Sequence, residues 1–193
     1  MEEKIQKINW LYLLGYVLGP AAICGICYAL SAAFFPKGNM AVILIMVPSL
    51  LAVVWWIFGG SLIFKKKTKE LEQKFESEGY TRNQTFYAKG QTVVLDVKKG
   101  MLGINFFWNP FKSYIVSAKR VKDVKVDDGR HGSGFMEGSS QVSFLFTIDG
   151  IKVRVYTFRS NQRFRMDDKY ILTGISKADV MLKSLNEARA NAK

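Results

Sequence analysis

The chain has 193 residues, with 28 Lys and Arg against 16 Asp and Glu, one histidine and two cysteines. That length accommodates one ordinary domain plus an appendage. Because the cysteines lie at positions 24 and 27, no disulfide framework supports the remainder, which fits a reducing compartment. The net charge of +12 is unevenly held: only Lys4, Lys7 and Lys37 precede Lys65, and residues 10–64 carry almost no charge. A chain so divided reads as two parts joined. No repeat of about 20 to 50 residues is present.

Residues 10–35 and 40–64 are two uncharged apolar runs. As helices each would reach roughly 38 Å, more than the roughly 30 Å hydrocarbon core of a bilayer. Both therefore read as membrane-spanning helices, tilted or reaching into the headgroups. Between them Pro36-Lys37-Gly38-Asn39 leaves room only for a tight turn, so the runs form an antiparallel hairpin. Lys4 and Lys7 precede the first run and Lys65, Lys66, Lys67 and Lys69 follow the second, against Lys37 alone in the turn. The positive-inside rule then places both termini in the cytosol, in a multi-pass protein of the cytoplasmic membrane. A cleaved signal peptide over residues 1–31 is disfavoured, since the apolar run is too long and Ala29-Leu30-Ser31 is a poor cleavage site.

Within the runs, Cys24-Gly25-Ile26-Cys27 matches a redox spacing, but an apolar helix disfavours the thiolate that redox chemistry needs. Small residues filling a helix contact are the simpler reading. Gly15 and Gly19, with Ala29 and Ala33, are candidates for close packing against the second helix or another subunit. Pro20 and Pro48 are expected to bend their helices. Neither run holds an ionisable side chain of the kind that ion or proton pathways use, which argues against a two-helix transporter acting alone.

Residues 65–79 continue as a helical stalk, with Glu70 and Lys74 as an i,i+4 pair and Gly79 as the stop. Only Leu71 and Phe75 offer an apolar face, so the stalk is expected to be mostly solvated and to hold the next domain on the order of 20 Å from the bilayer. From Thr81 the period changes to two. Asp149-Gly150 predicts a two-residue hairpin turn facing Ile148 with Ile151, Phe146 with Val153 and Phe144 with Val155. Lys99-Gly100, read as a second such turn, would face Val97 with Leu102, Leu95 with Ile104 and Val93 with Phe106. Shorter strands are expected over residues 85–88, 112–116 and 121–126, giving about seven. A C-terminal helix is expected to start at Ser176 as N-cap with Asp179 three residues on, burying Met181, Leu182, Leu185 and Ala188.

The fold class expected is therefore a membrane protein: a two-helix transmembrane hairpin (residues 1–64), a stalk (65–79), and a mainly antiparallel β domain capped by a helix (80–193). In "VVLDVKKGMLGI", "SYIVSAKRVKDVKVDDG", "FTIDGIKVRVYTF" and the terminal helix, the chain resembles the bacterial membrane-anchored pleckstrin-homology-like proteins over roughly residues 83–190. The resemblance implies a binding module beside a membrane, without enzymatic activity. Some similar proteins protect against membrane-active bacteriocins.

Catalytic candidates are few. His131 lies in the Gly- and Ser-rich stretch "DDGRHGSGFMEGSS", which reads as a mobile loop, and Gly132-Ser133-Gly134 lacks the ending of a phosphate loop. Asp127 and Asp128 read as turn acids, not as a metal site. No cofactor, metal or small-molecule substrate is implied. The candidate binding residues are basic: Lys98, Lys99, Lys119, Arg120, Lys122, Lys125, Arg154, Arg159, Arg163 and Arg165. Beside a cytosolic leaflet they would attract anionic lipid, and otherwise they form a solvated positive face. Nucleic acid is not expected, for want of a helix suited to a groove and because a membrane tether limits access. Two functional readings follow. In one, a basic domain binds anionic headgroups or a protein partner. In the other, the apolar helices make the chain an accessory subunit of a transporter or immunity complex, or drive self-association.

Overall fold

In the computed structural model, residues 4–34, 39–88, 90–131 and 137–193 are described, the side chain at position 41 excepted. Among these residues two helices are long and apolar enough to cross a membrane. The first, α1, is Trp10–Phe34. The second begins as α2, Asn39–Val54, passes through one π-helical turn at Trp55–Gly59, and continues without a break as α3, Gly60–Ser77. The expected turn at residues 36–39 lies outside the described residues except for Asn39, the first residue of α2.

Among the described residues seven strands follow: β1 Gln84–Ala88, β2 Gln91–Asp96, β3 Met101–Phe106, β4 Asn109–Ser117, β5 Val121–Asp127, β6 Gly138–Ile148 and β7 Ile151–Arg165. They form two antiparallel meanders, β1-β2-β3-β4 and β5-β6-β7. Helix α4, Lys169–Asn191, closes the chain. The main core joins both sheets and α4, through residues such as Val93, Ile104, Phe144, Phe146, Ile171 and Leu185.

The β6–β7 hairpin has the expected register, Ile148 facing Ile151, Phe146 facing Val153 and Phe144 facing Val155. Asp149 and Gly150 both take positive φ, 51° and 80°, as a turn matched to strand twist requires. The β2–β3 hairpin differs from expectation by two residues. Leu95, not Val97, faces Leu102, and Val93, not Leu95, faces Ile104. Residues 97–100 form the loop because Asp96 Oδ1 accepts the Lys99 N–H at 2.9 Å while its Oδ2 accepts the Thr81 N–H at 2.7 Å. A slip of two preserves the face of every side chain, so the inward residues are the expected ones.

Helix α4 starts eight residues before the expected site. Asp168 is its N-cap, accepting the Tyr170 N–H, and Ser176 lies inside the helix. Gly174, which resembles a break, is there because a Cβ would stand 2.8 Å from that of Phe158 and 3.3 Å from that of Val142.

The largest departure concerns α3. Leu71 and Phe75 are completely buried, packed with Val94 and against Met101, Ile115 and Tyr80 on the outer face of the first sheet. Gly103 makes the approach possible: a Cβ there would lie 3.1 Å from Phe75 Cδ2 and 3.2 Å from Leu71 Cδ1. Nearer the apolar helices, Thr68 Oγ1 lies 3.1 Å from Thr92 Oγ1, and Asn105 donates to Thr68 at 3.4 Å. So α3 is not a solvated stalk; it is a layer of the β domain, and β2 is buried along its whole length. The expected Glu70–Lys74 pair is replaced by Lys67–Glu70 at 2.6 Å and Lys74–Glu78 at 3.8 Å. Gly79, at φ 84°, ends the helix as expected. Its N–H reaches the Glu76 carbonyl, and the Tyr80 N–H reaches that of Phe75, the paired bonds of a Schellman ending.

Residues 4–9 run along the β domain instead of trailing from it. Ile5 is buried in the main core. Its N–H is 3.3 Å from Asp149 Oδ2, the Gln6 N–H donates to the Tyr114 hydroxyl at 3.0 Å, and the Asn9 N–H donates to the Trp108 carbonyl at 2.8 Å.

Candidate functional site

The strand period places basic side chains on the outer face of the second sheet. Residues facing inward are Phe144, Phe146, Ile148, Val153 and Val155, so their neighbours point out. Lys122, Thr147 and Lys152 form one row across β5, β6 and β7, and Lys125, Leu145 and Arg154 form the next. A bulge between Lys122 and Lys125 keeps both lysines on this face. The third row is Asp127, Ser143 and Tyr156. Arg154 pairs with Asp127 at 3.2 Å. Tyr156 takes the Arg154 and Arg159 guanidinium groups over its ring, at 5.9 and 5.0 Å from the centroid. Lys122, Lys125, Lys152 and Arg159 are exposed.

Of the sequence candidates, then, Lys122, Lys125, Arg154 and Arg159 are brought together. Lys152 belongs with them and was missed. Period-2 alternation with Arg154 was the signal that could have found it. Lys98 and Lys99 are elsewhere, on the β2–β3 loop beside the far end of α3, where Lys99 donates to the Gly79 carbonyl at 2.6 Å and lies over the Tyr80 ring. Lys119 is exposed on the turn between β4 and β5. Arg120 makes a two-pronged ion pair with Asp149, tying that turn to the β6–β7 tip. This Arg120 hydrogen bond, with the Ile5 N–H and against partial burial, holds the Asp149 carboxyl below its usual pKa. Arg163 donates to the Gly138 carbonyl at 3.3 Å and Arg165 pairs with Asp167 at 3.2 Å, both on the extension of β7 past the basic rows.

The face has a defined relation to the apolar helices. Gln91 donates from Nε2 to the Arg154 carbonyl. The adjacent Gly90 carbonyl accepts the Phe107 N–H at 2.8 Å, and the Phe107 ring contacts Phe64 near the start of α3. β7 thus passes the helix end of the first sheet, whereas Lys98 and Lys99 sit roughly 20 Å further along α3 at 1.5 Å per residue.

The second feature is an open apolar groove of about 750 Å3 between the long helices, lined by Gly15, Gly19, Pro20, Pro48, Trp55 and Phe58 among others. A Cβ on Gly15 or Gly19 would meet nothing within 4 Å, so these glycines do not pack closely on the second helix. Ala29 and Ala33 are likewise exposed. The face that does meet the second helix carries Tyr16, Pro20, Cys24, Cys27 and Ser31, spaced three or four apart. Tyr16 and Ser31 are buried and both cysteines are half-buried free thiols.

His131 pairs through its backbone with Gly138, and residues 132–136 lie outside the described residues. Among the described residues no group of three His, Cys, Asp or Glu side chains is arranged to hold a metal ion. None of the family models, curated proteins or solved structures compared with this chain matches it.

Proposed function

We propose that the chain is a non-enzymatic protein of the cytoplasmic membrane that holds a basic, pleckstrin-homology-like domain against the cytosolic leaflet and binds anionic headgroups there. Two antiparallel meanders closed by a C-terminal helix support the pleckstrin-homology-like assignment. Two observations of different kinds support a cytosolic side for both termini. Lysines flank the helix ends that adjoin the β domain, and Ile5 lies in the same core as the C-terminal strands, so both termini share one side.

The observation that carries the binding reading is the double row Lys122–Lys152 and Lys125–Arg154, continued by Arg159 around Tyr156. At about 1 kcal/mol for each basic residue close to an anionic surface, such a face attracts acidic lipid by a few kcal/mol. The test uses the full chain in vesicles of phosphatidylcholine with phosphatidylglycerol, released for native mass spectrometry. The wild type should retain more phosphatidylglycerol than the K122E/K125E/K152E triple variant. Equal retention rejects the lipid reading and leaves an acidic protein as the occupant of the face.

The groove favours a second reading, in which the apolar helices recognise a partner in the membrane, as an accessory subunit of a transporter or immunity complex would. Gly15 and Gly19 leave open the space a partner helix would fill. Replacing both with Leu should abolish co-purification of that partner. An unchanged complex counts against this reading.

A further inference from the structure

The tip of the β3–β4 hairpin is aromatic and touches the long helices. Phe107 packs on Phe64, with ring centroids 5.8 Å apart, and edge-on against Trp108 at 4.8 Å. Trp108 meets Tyr16 edge-on at 6.0 Å, and Phe111 meets Tyr12 edge-on at 5.4 Å. Gly60 accommodates this contact, since a Cβ there would fall 2.6 Å from Phe107 Cζ. Despite these contacts Phe111 remains 61% exposed and Trp108 36% exposed.

We propose that Phe107, Trp108 and Phe111 lie in the interfacial layer of the bilayer that the two helices cross, as a third anchor that seats the β domain on the membrane. This rests on the spanning reading above. Helix length sets the depth. α1 covers roughly 37 Å at 1.5 Å per residue, more than the roughly 30 Å hydrocarbon core by one to two turns. If Tyr12 and Tyr16, with Trp55 and Trp56 bonded or stacked against Tyr16, mark the interface, the remainder from Val17 to Phe34 covers roughly 27 Å, and Asn39 to Val54 of the second helix covers roughly 24 Å. Neither then exceeds the core, so neither needs a tilt to hide a surplus. The surplus turns are the ones against which the hairpin tip packs, so the tip shares their depth. Tyr12, Tyr16, Trp55, Trp56 and Trp108 then form the aromatic belt that membrane interfaces favour. Lys67, with its ammonium 5.7 Å from the Phe111 ring centroid, supplies a cation at headgroup level. A protein partner would also cover exposed rings, but these rings are fixed to helix turns at a lipid-facing depth.

Spin labelling of the full chain in phosphatidylcholine–phosphatidylglycerol vesicles tests this. In a Cys24→Ser, Cys27→Ser background, nitroxides are placed at Phe111→Cys, at Ile26→Cys in the middle of α1, and at Lys98→Cys on the far loop. Power saturation with oxygen and a water-soluble nickel complex reads their depth. The Phe111 label should give an oxygen-to-nickel ratio several times that of the Lys98 label and below that of the Ile26 label. A Phe111 label as aqueous as Lys98, with Ile26 in lipid, overturns the anchor and leaves the spanning reading intact. Poor access of Phe111 to both reagents means a second copy covers the tip, which also overturns it. An aqueous Ile26 label overturns the spanning reading and the anchor with it.

Discussion

Phe75→Ala separates a packed α3 from a solvated one. Phe75 is fully buried between Leu71, Tyr80 and the sheet at Gly103. Truncating a Phe at such a site costs about 3 to 5 kcal/mol, the lost transfer energy plus the cavity left behind. On an exposed helix the same change stays within about 0.5 kcal/mol. At about 1.4 kcal/mol per tenfold, the lower figure of 3 kcal/mol raises the population of opened α3 by about two orders of magnitude. Amide hydrogen exchange of the full chain in vesicles reads this directly. Peptides covering residues 67–77 should exchange about a hundred times faster in the variant. Those of the apolar helices should be unchanged, because Phe75 touches neither. If residues 67–77 exchange alike in both proteins, α3 is not held by the sheet and the account of the domain fails.

Ile5→Ala should cost about 2 to 4 kcal/mol as a buried large-to-small change and free residues 4–9. Trypsin cleavage after Lys7 in the native protein should accelerate about tenfold or more, and an unchanged rate would place Ile5 outside the core. Because Arg120 holds the Asp149 carboxyl below the usual aspartate pKa, the folded state binds fewer protons there than the unfolded state. The stability from this pair is therefore present above the pKa of an unfolded aspartate and lost as pH falls through the lower folded value. Asp149→Asn should remove that part of the acid sensitivity of the melting temperature, and an identical profile in the variant refutes the pairing. Gly100→Ala should destabilise for two reasons. Gly100 has φ 64°, and an added Cβ would stand 2.4 Å from the backbone of Ala192. Deleting residues 191–193 in the variant should restore part of the melting temperature by removing the clash with Ala192, while the close approach to the Ala188 carbonyl, 2.6 Å, and the backbone strain remain.

The hairpins were legible because a two-residue Asp-Gly turn dictates both register and handedness, and Ile148 and Ile151 then fall into place. At the other hairpin the Lys99-Gly100 pair was visible, but the turn is decided by a side chain outside it. Asp96 binds the Lys99 N–H and closes a four-residue loop. The burial of α3 was hidden for a different reason. Two apolar residues among lysines and glutamates look solvated until their partners are known; those are Val94, Met101 and Ile115 on the outer face of the sheet, with Gly103 leaving room for the approach. Ile5 gave no periodic signal, being one apolar residue in a polar segment. The basic face was half legible. β6–β7 alternation fixes Lys152 and Arg154 as outward neighbours, but joining them to Lys122 and Lys125 needs the pairing of β5 with β6 and its bulge.

The two long helices are joined at the β-domain end by an exchange of hydrogen bonds that two helix irregularities make possible. Pro20 has no N–H, so the Tyr16 carbonyl four residues earlier loses its helical donor. In the structure Trp56 Nε1 donates to that carbonyl at 3.2 Å. The π turn at Trp55–Gly59 disturbs the ladder of the second helix in turn, and the Tyr16 hydroxyl donates to the Trp56 carbonyl at 2.7 Å. Each irregularity leaves a carbonyl that would be costly unpaired among apolar side chains, and each is satisfied from the opposite helix. A regular helix on either side would offer no free carbonyl. Pro20 and the π turn thus fix rotation and height of one helix against the other at the level of Trp108. Because α3 continues the second helix and Ile5 precedes the first, the β domain inherits that alignment. A cut at residue 80 would sever it from both Leu71–Phe75 and Ile5, so the unit that folds includes the N-terminal segment and α3.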